Sequence, residues 1–457
     1  MLLQVSIFQA VLAAAPGPQP PTSSTTSESP PQANVFPFPI AHRQLQNGLK
    51  VVAIVYDSPG LVAYQTVAHV GSRNEIEPGK SGFAHFFEHM MFRGTERYPQ
   101  QAYNAALKRM GADSNAWTWW DQTVYHILAA REALPKIVEL EADRFQNLHY
   151  TEAAFQKEAR AVLGEYNKNA SDPSLKISEA LHDAAFTKHP YKHTTMGFLA
   201  DIEAMPQQFQ HARDFFSRYY RPDNVSIVVV GDIDPPHVLD LIEQHYGAWQ
   251  GRAQPKSIPA EPALSASKRI HIPWPAATLP RLTMGFRVPA FSPSDIDHAA
   301  LETLANVAFS QKSRLYRRLV LQEQKVESLS GNNPTTIDPS LFVIEAQVKN
   351  PADLDYVQGV IRDELQRLAQ EGVDAKTLAD VLSHLRYDFA GELSTAQKIS
   401  DVAAWYLSLA ANLDAIDGFF TTLARVRNDD VKRVVRRYFI DSPGVVVTLA
   451  QKAENNG

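Results

Sequence analysis

The segment FFSRYYRPDNVSIVVVG, residues 215–231, has a counterpart near the C-terminus, VVRRYFIDSPGVVVTLA, residues 434–450. The two segments align without gaps, and each has the pattern of a helix end with paired aromatic residues, a turn and a β-branched strand. Each also falls at the end of its half of the chain. A duplicated domain explains the matching order and spacing, although two unrelated helix–turn–strand units would give a similar pattern.

Outward from these segments, the hydrophobic pattern alternates between strands and helices. Asn47-Gly48 is a turn signal that predicts a hairpin at 45–55. Further strands are predicted at 61–70, 123–130, 281–288 and 341–348. Helical periodicity is found at 81–91, 133–149, 152–169 and in much of 295–325. The expected fold class is α+β, with two homologous domains that each pack helices on one face of a mainly antiparallel sheet.

Composition divides the chain into domains and linkers. Residues 1–15, MLLQVSIFQAVLAAA, resemble a secretory signal peptide that lacks a basic start, and they predict export to the periplasm, with a cytoplasmic location as the alternative. The Pro/Ser/Thr-rich residues 16–37 are predicted to form a linker. A second proline-rich stretch, 255–265, would join an N-terminal domain, 38–254, to a C-terminal domain, 266–457. No run is long and apolar enough to predict a membrane span.

Charge and cysteine content exclude several classes of function. Lys and Arg number 44 against 50 Asp and Glu, a net charge of −6, so the chain lacks the basic footprint of a nucleic-acid-binding protein. The absence of cysteine excludes disulfides, thiolate metal sites and cysteine nucleophiles. A zinc site in this chain would have to use histidines and carboxylates, which is typical of catalytic rather than structural zinc.

The pentapeptide His85-Phe86-Phe87-Glu88-His89 is the most informative motif. On a helix, His85 and His89 are four residues apart, so both imidazoles leave the same face and can bind one metal ion. Glu88 lies beside them, where it can reach a water in the open coordination position and act as general base. The order H-x-x-E-H is the inverzincin signature. A surface helix with scattered histidines is the alternative.

A third ligand is expected from the helical segment FQKEARAVLGEYNK, residues 155–168. Glu158 and Glu165 are seven residues apart, so they lie two turns apart along one edge of the apolar face. This arrangement suits one metal ligand and one carboxylate that orients a ligand. An amphipathic helix with two solvated glutamates is the alternative.

These motifs together resemble the pitrilysin-type peptidases of family M16, which include the mitochondrial processing peptidases. The resemblance extends from about residue 43 to the C-terminus. Besides the two motifs above, it is carried by GSRNE (71–75), GADSNAWTWWDQTVYH (111–126), HPYKHTTMG (189–197) and YYRPDNVSIVVVGDID (219–234). It implies that His85, His89 and Glu165 bind one Zn²⁺ per chain, with Glu165 at the family's spacing. It also implies that Glu88 is the base and that Glu158 orients a ligand.

The resemblance further implies a substrate-binding strand at Asn115, Ala116, Trp117 and Thr118. A peptide would add to this strand at a sheet edge, where backbone hydrogen bonds bind many sequences. The nearby Trp119 and Trp120 could line a pocket with Trp117, but packing in a core or a domain interface is the preferred interpretation for at least two of the three.

The second half departs from the family pattern. Ser313-Arg314-Leu315 is present, but Val320 stands where the family has an arginine, and no Gly-Leu-Ala-Tyr follows. His298 and Glu302 do not reproduce the metal motif, so one active centre is expected. We therefore expect a clam-shell heterodimer with a homologous subunit that supplies an Arg/Tyr pair. A homodimer, or a non-catalytic assembly or peptide-binding subunit, is the alternative.

Overall fold

The computed structural model describes residues 34–251 and 256–452. They form two β-sheets, one on each side of the proline-rich stretch 255–265. The first sheet has the strand order β1-β2-β6-β3-β5-β4 and the second has the order β7-β11-β8-β10-β9. The first contains β1 (Ile40–Gln44), β2 (Lys50–Val55), β3 (Leu61–Ala68), β4 (Asp113–Thr118), β5 (Thr123–Ala130) and β6 (Val225–Gly231). The second contains β7 (Lys268–Trp274), β8 (Arg281–Val288), β9 (Val326–Asn332), β10 (Ser340–Val348) and β11 (Gly444–Gln451).

The two sheets share one topology. In each, the last strand lies between the first two long strands of its half, parallel to one and antiparallel to the other: β6 between β2 and β3, and β11 between β7 and β8. All other pairings are antiparallel. The aligned segments 215–231 and 434–450 both end in these inserted strands, so the α+β fold with two mainly antiparallel sheets is confirmed.

Helices connect the strands in both halves. The N-terminal half contains α1 (Phe83–Met90), α2 (Gln100–Arg109), α3 (Leu134–Asn147), α4 (Glu152–Asn169), α5 (Pro173–Ala185), α6 (Leu199–Ala204), α7 (Phe209–Tyr219) and α8 (Pro235–Tyr246). The C-terminal half contains α9 (Ile296–Phe309), α10 (Arg314–Tyr316), α11 (Leu354–Gln370), α12 (Ala375–Glu392), α13 (Ala396–Ala410), α14 (Asp414–Leu423) and α15 (Asn428–Val435). Two of them continue as π-helical turns, α10 into Arg317–Gln322 and α15 into Arg436–Ile440.

The central strands are apolar on both faces. Every residue of β6 is buried, and β3 is buried from Val62 onward. One face of the first sheet, with Tyr64 and Val229, packs against helices of its own half. The other face, with Val67 and Val228, joins a cluster made mostly of residues from the C-terminal half. Both faces carry apolar side chains, and covering them is favourable because it removes apolar surface from water.

The second face of each sheet is covered by a helix from the other half of the chain. Helix α13 of the C-terminal half lies on β3 and β6, and helix α5 of the N-terminal half lies on β11, β8 and β7. Leu181 of α5, for example, packs with Leu341 and Val447 of the second sheet. The expectation of helices on one face therefore holds only for the helices of the same half. The uninterrupted apolar run of β6 is the sequence signal of a strand covered on both faces.

Polar contacts also join the halves. Gln65 Nε2 of β3 donates to Ser400 Oγ at 2.7 Å and to Asp401 Oδ1 at 2.5 Å. Asp338 Oδ2 accepts from Arg73 Nε at 2.5 Å and lies 2.9 Å from His189 Nε2. The motifs GSRNE and HPYKHTTMG therefore meet at the junction with the C-terminal half.

The tryptophans belong to this junction as well. The rings of Trp117 and Trp119 lie 6.1 and 6.2 Å from Trp405 of α13, and Trp120 packs against Tyr191. All three rings thus have packing contacts, in line with the interpretation preferred for at least two of them.

The N-terminal segments and the domain limits stay predictions. The signal-like residues 1–15 and most of the linker 16–37 lie outside the described residues. The domain limits 38–254, 255–265 and 266–457 also stay predictions. Within residues 34–251 and 256–452, no helix combines the length and apolarity needed to cross a bilayer.

Candidate metal and catalytic site

Helix α1 begins at a tightly packed glycine. Gly82 has φ of 91°, a conformation that favours glycine, and a Cβ there would lie 2.7 Å from the Met196 carbonyl oxygen. Gly82 has no side chain to cap the helix, and the buried Glu75 carboxylate takes that role by accepting from the Gly82 and Ala84 backbone N–H groups, both at 2.7 Å. Burial raises the pKa of Glu75 to about 8. These contacts fix the start of the helix three residues before His85.

The two faces of α1 have different roles. Phe83, Phe86, Phe87 and Met90 are buried in the core of the N-terminal half. His85 and His89 leave another face, and their ring centroids are 4.8 Å apart. The helical spacing of the pentapeptide thus brings the two imidazoles together, as predicted.

Helix α4 brings the third group to the same place. Glu165 Oε2 lies 3.1 Å from His89 Nε2 and 3.8 Å from His85 Nε2. One ligand atom from each of His85, His89 and Glu165 lies within 4.8 Å of the others. Zinc takes nitrogen and oxygen ligands at 2.0–2.2 Å, so the more distant of these atoms would have to move closer together on binding. Two imidazoles and one carboxylate are also a known catalytic zinc set, so these residues fit the ion.

The carboxylates set the charge of the site. Burial lowers the pKa of His89, but hydrogen bonds with Glu158 and Glu165 outweigh it and raise the pKa to about 9. The hydrogen bond with His89 lowers the pKa of Glu165 to about 2, against the effect of burial. Burial lowers the pKa of His85, which favours the neutral imidazole that a metal requires.

Glu158 lies behind His89, away from the convergent atoms. Its Oε1 is 3.2 Å from His89 Nδ1, and its other oxygen pairs with Arg93. Burial raises the pKa of Glu158, but His89 and Arg93 outweigh it and lower the pKa. An ionised carboxylate on Nδ1 leaves Nε2 as the nitrogen available to a metal, which is the orienting role predicted for Glu158.

Glu88 precedes His89 on α1 and points to strand β4. The Thr118 hydroxyl donates to Glu88 Oε2 at 2.7 Å. Neither oxygen of Glu88 forms an ion pair with a described residue. The Thr118 hydroxyl is therefore the described side-chain group that contacts this carboxylate by a hydrogen bond.

Strand β4 is the outer strand of the first sheet and pairs only with β5 among the described residues. Asn115 is exposed, Ala116 is buried, and Trp117 and Thr118 are half-buried. The structure thus places the four predicted substrate-binding residues on a free sheet edge next to α1, and their contact with a peptide stays a prediction.

The described side chains of the segment 313–320 make their contacts in the C-terminal half. Val320 is half-buried and packs on the core of the C-terminal half, as does Tyr316. Arg317 is exposed, and Arg314 lies 3.9 Å from Glu364. Among the residues that the structure describes, His85, His89 and Glu165 form the one cluster of three or more metal-binding side chains.

Three contacts at the site were not predicted from the sequence. They are the Glu75 cap, the Arg93 ion pair with Glu158 and the Thr118 hydrogen bond to Glu88. Arg93 follows His89 by four residues, which is one helical turn and could have suggested the ion pair. Glu75 is the last residue of the motif GSRNE, but nothing in that motif indicates a contact with α1.

Comparisons with known proteins match this chain to two domain families and to several peptidases. The family described as insulinase, peptidase family M16, matches residues 51–198, and the peptidase M16 inactive domain matches residues 208–385. The zinc protease PqqE of Helicobacter pylori is 27% identical over 418 residues, 89% of this chain and 91% of that protein. The mitochondrial-processing peptidase subunit beta of Blastocladiella emersonii is 26% identical over 422 residues, 89% of this chain and 87% of that protein. The crystal structure of a protease from Helicobacter pylori has a TM-score of 0.84 at 27% identity, covering 90% of this chain and 99% of that one.

Proposed function

This chain belongs to the M16 peptidase family, and on that premise we propose that it is a zinc-dependent endopeptidase of peptides or unfolded polypeptide segments. The observation that carries the proposal is the convergence of His85, His89 and Glu165 with Glu88 beside them, next to a free sheet edge. These three side chains would hold one Zn²⁺ per chain. Bound zinc supplies Lewis acidity and brings the pKa of a coordinated water towards about 7.

The protein's own groups carry the rest of the reaction. Glu88 takes a proton from the attacking water at its carboxylate and delivers it to the leaving amine nitrogen. Glu158 keeps the His89 imidazole oriented through Nδ1. The exposed edge of β4, at Asn115, Ala116, Trp117 and Thr118, receives the substrate as an added antiparallel or parallel strand.

The proposal includes a partner subunit. The oxyanion that develops during peptide hydrolysis requires hydrogen-bond donors besides the metal. The family resemblance would place an Arg/Tyr pair in the second half, where this chain has Val320. The similar Blastocladiella emersonii protein is, by its name, one subunit of a larger enzyme. A homologous subunit that supplies the Arg/Tyr pair is therefore the proposed partner, in a clam-shell heterodimer.

A cleavage assay tests this proposal. The purified chain, alone and mixed with a homologous chain that carries the Arg/Tyr pair, is incubated with a quenched fluorescent peptide library. Each reaction is repeated after chelation and after zinc is added back. Glu88→Gln is the matched variant, because it keeps size and hydrogen bonding but cannot take the proton. We expect cleavage only in the mixture, loss on chelation, recovery with zinc, and a fall in kcat of roughly 10²–10⁴-fold in the variant.

Other outcomes would separate the alternatives. Equal cleavage by the chain alone would contradict the need for a partner and favour a homodimer. Zinc binding without cleavage in any mixture would favour a non-catalytic peptide-binding or assembly subunit.

The location of the protein is a separate part of the proposal. The apolar residues 1–15 with Ala13 to Ala15 support export to the periplasm. Fractionation of cells that produce the full chain should recover it in the periplasm without these residues. Recovery of the intact chain in the cytoplasm would contradict export.

A further inference from the structure

The general base proposed above has one hydrogen-bond partner among the described side chains. Thr118 Oγ1 donates to Glu88 Oε2 at 2.7 Å. An ionised carboxylate only accepts hydrogen bonds, so the direction of this contact is fixed by chemistry. The hydroxyl uses one lone pair of Oε2, and Oε1 has no hydrogen-bond partner among the described side chains.

Strand geometry presents this hydroxyl to the helix. Successive side chains of a strand point to opposite faces of the sheet. Trp117 points towards Trp405 of α13 in the other half, whereas Ala116 packs in the core that contains α1. Thr118 shares the face of Ala116, and its backbone pairs with Thr123 of β5. The β-branched side chain has few χ1 rotamers, so the position of its hydroxyl is well defined.

We infer that Thr118 is a positioning residue that holds the Glu88 carboxylate in its proton-accepting orientation. The inference rests on the proposed function, because it assigns a role relative to the base of that reaction. Thr118 is also the last residue of the free edge strand proposed to receive the peptide. The same strand therefore binds the substrate through its backbone and orients the base through one side chain.

A purely structural role for the hydrogen bond makes a different prediction. If the contact only joined α1 to β4, its loss would loosen the strand edge and weaken substrate binding, which raises KM. If it orients the base, its loss lowers kcat and leaves KM unchanged, because the backbone of β4 is intact.

Three variants separate these roles. Thr118→Val keeps the shape and the β-branch but removes the hydroxyl, and Thr118→Ser restores the hydroxyl without the branch. Ser114→Ala is the matched control, because Ser114 lies on the same strand and the same face but does not contact Glu88. Each variant is assayed for peptide cleavage in the complete enzyme and for zinc content.

For Thr118→Val we expect kcat to fall roughly 10–100-fold, the loss that follows removal of a hydrogen bond to a charged group. KM and zinc content should stay at the wild-type values. Thr118→Ser should recover most of the lost kcat, and Ser114→Ala should match the wild type. Unchanged kcat in Thr118→Val, a rise in KM alone, or no recovery in Thr118→Ser would overturn the inference.

A crystal structure of zinc-loaded Thr118→Val provides a readout that does not depend on activity. We expect the Glu88 carboxylate to leave its wild-type rotamer or to occupy more than one. An unchanged single rotamer would overturn the inference. If the wild-type protein does not cleave peptides, the proposed function fails, and the Glu88 rotamer still decides whether Thr118 positions this carboxylate.

Discussion

Helices α4 and α12 occupy matching places in the two halves of the molecule. Each has 18 residues and begins at a capping residue, Thr151 or Asp374, whose side chain accepts from the backbone N–H three residues later. Helix α4 packs on α1, and α12 packs on α9. Counted from the capping residue, the buried positions coincide: Phe155 with Leu378, Val162 with Leu385 and Tyr166 with Phe389.

The two helices differ at the positions that carry the chemistry. In the same count, Glu158 of α4 corresponds to Val381, which packs on the apolar core of the C-terminal half. Glu165 corresponds to Asp388, whose side chain is about half exposed (46%) and lies 3.4 Å from His384. The apolar face is thus kept in both halves. In the second half the carboxylate of Glu158 is replaced by Val381, and Asp388 has as its histidine neighbour His384 of its own helix.

The neighbouring helices differ in the same way. His85 and His89 of α1 face Glu165, but His298 and Glu302 of α9 are buried and 1% and 8% exposed. Burial lowers the pKa of His298 to about 4 and raises the pKa of Glu302 to about 7. The pair α1 and α4 thus brings together three side chains of metal-binding type, and the other pair encloses its His and Glu in the core. The comparison indicates that the shared fold fixes the positions of these helices. The polar side chains at a few of their positions then determine what each pair can bind.

The largest effect, on zinc affinity, is expected at the first pair of corresponding positions, Glu165 of α4 and Asp388 of α12. Glu165→Ala removes one of three ligands, so zinc affinity should fall by more than the roughly 10–100-fold that loss of an orienting partner costs. Asp388→Ala removes a carboxylate that lies near His384 but belongs to no cluster of three metal-binding side chains among the described residues, so zinc affinity should not change. Both variants are titrated with zinc against a chromophoric chelator. Similar losses in the two variants would mean that α12 also contributes to a metal site.

The sequence predicted this asymmetry only in part. The pentapeptide and the spacing of Glu158 and Glu165 could be interpreted because helical periodicity determines which side chains share a face. The duplicated topology could be predicted because segments 215–231 and 434–450 align directly. The free edge at Asn115 followed from the family resemblance and agrees with the strand order.

Contacts between distant segments could not be predicted in this way. Helices α5 and α13 each pack on the sheet of the other half, so residues far apart in the chain are in contact. No local pattern indicates which helix covers the second face of each sheet. The Thr118 hydroxyl contacts Glu88 because a strand and a helix meet in space, which periodicity does not encode. The burial of Glu302 also depends on packing around α9 and not on its neighbours in sequence.

The buried Glu302 should make stability depend on pH. Because its folded pKa is about 7, above the ordinary 4.5, the folded state favours the protonated acid. Its stabilisation is fully present below pH 4.5 and is lost as pH rises through 7, a change of roughly 3 kcal/mol at 1.36 kcal/mol per pKa unit. Glu302→Gln should be more stable than the wild type at pH 8 by up to about this amount. Urea unfolding of both proteins at pH 5 and pH 8 measures the difference.

Glu165 provides the contrast for this experiment, because its pKa in the metal-free protein is lowered to about 2. Its stabilisation is present above pH 4.5 and is lost as pH falls through 2, so it is constant between pH 5 and pH 8. Glu165→Gln also removes a hydrogen bond that raises the pKa of His89 to about 9. The stabilisation from His89 is present below pH 6.5 and is lost as pH rises through 9, so this variant should lose less stability than the wild type between pH 6.5 and pH 8. If Glu302→Gln and the wild type lose stability in parallel from pH 5 to pH 8, Glu302 is not buried as the structure has it.

The smallest effect is expected at the second pair of corresponding positions, Glu158 and Val381. Glu158→Gln keeps an oxygen that can accept from His89 Nδ1 but loses the charge that pairs with Arg93. Zinc affinity should therefore fall by about 10-fold, the lower end of the range for partners that orient a ligand.

Val381→Ala should lower the free energy of unfolding by about 1 kcal/mol, since it removes partly buried methyl groups, and leave zinc affinity unchanged. The chelator titration and urea unfolding measure the two quantities for both variants. Unchanged zinc affinity in Glu158→Gln would show that the carboxylate on α4 serves packing in the same way as its apolar counterpart on α12.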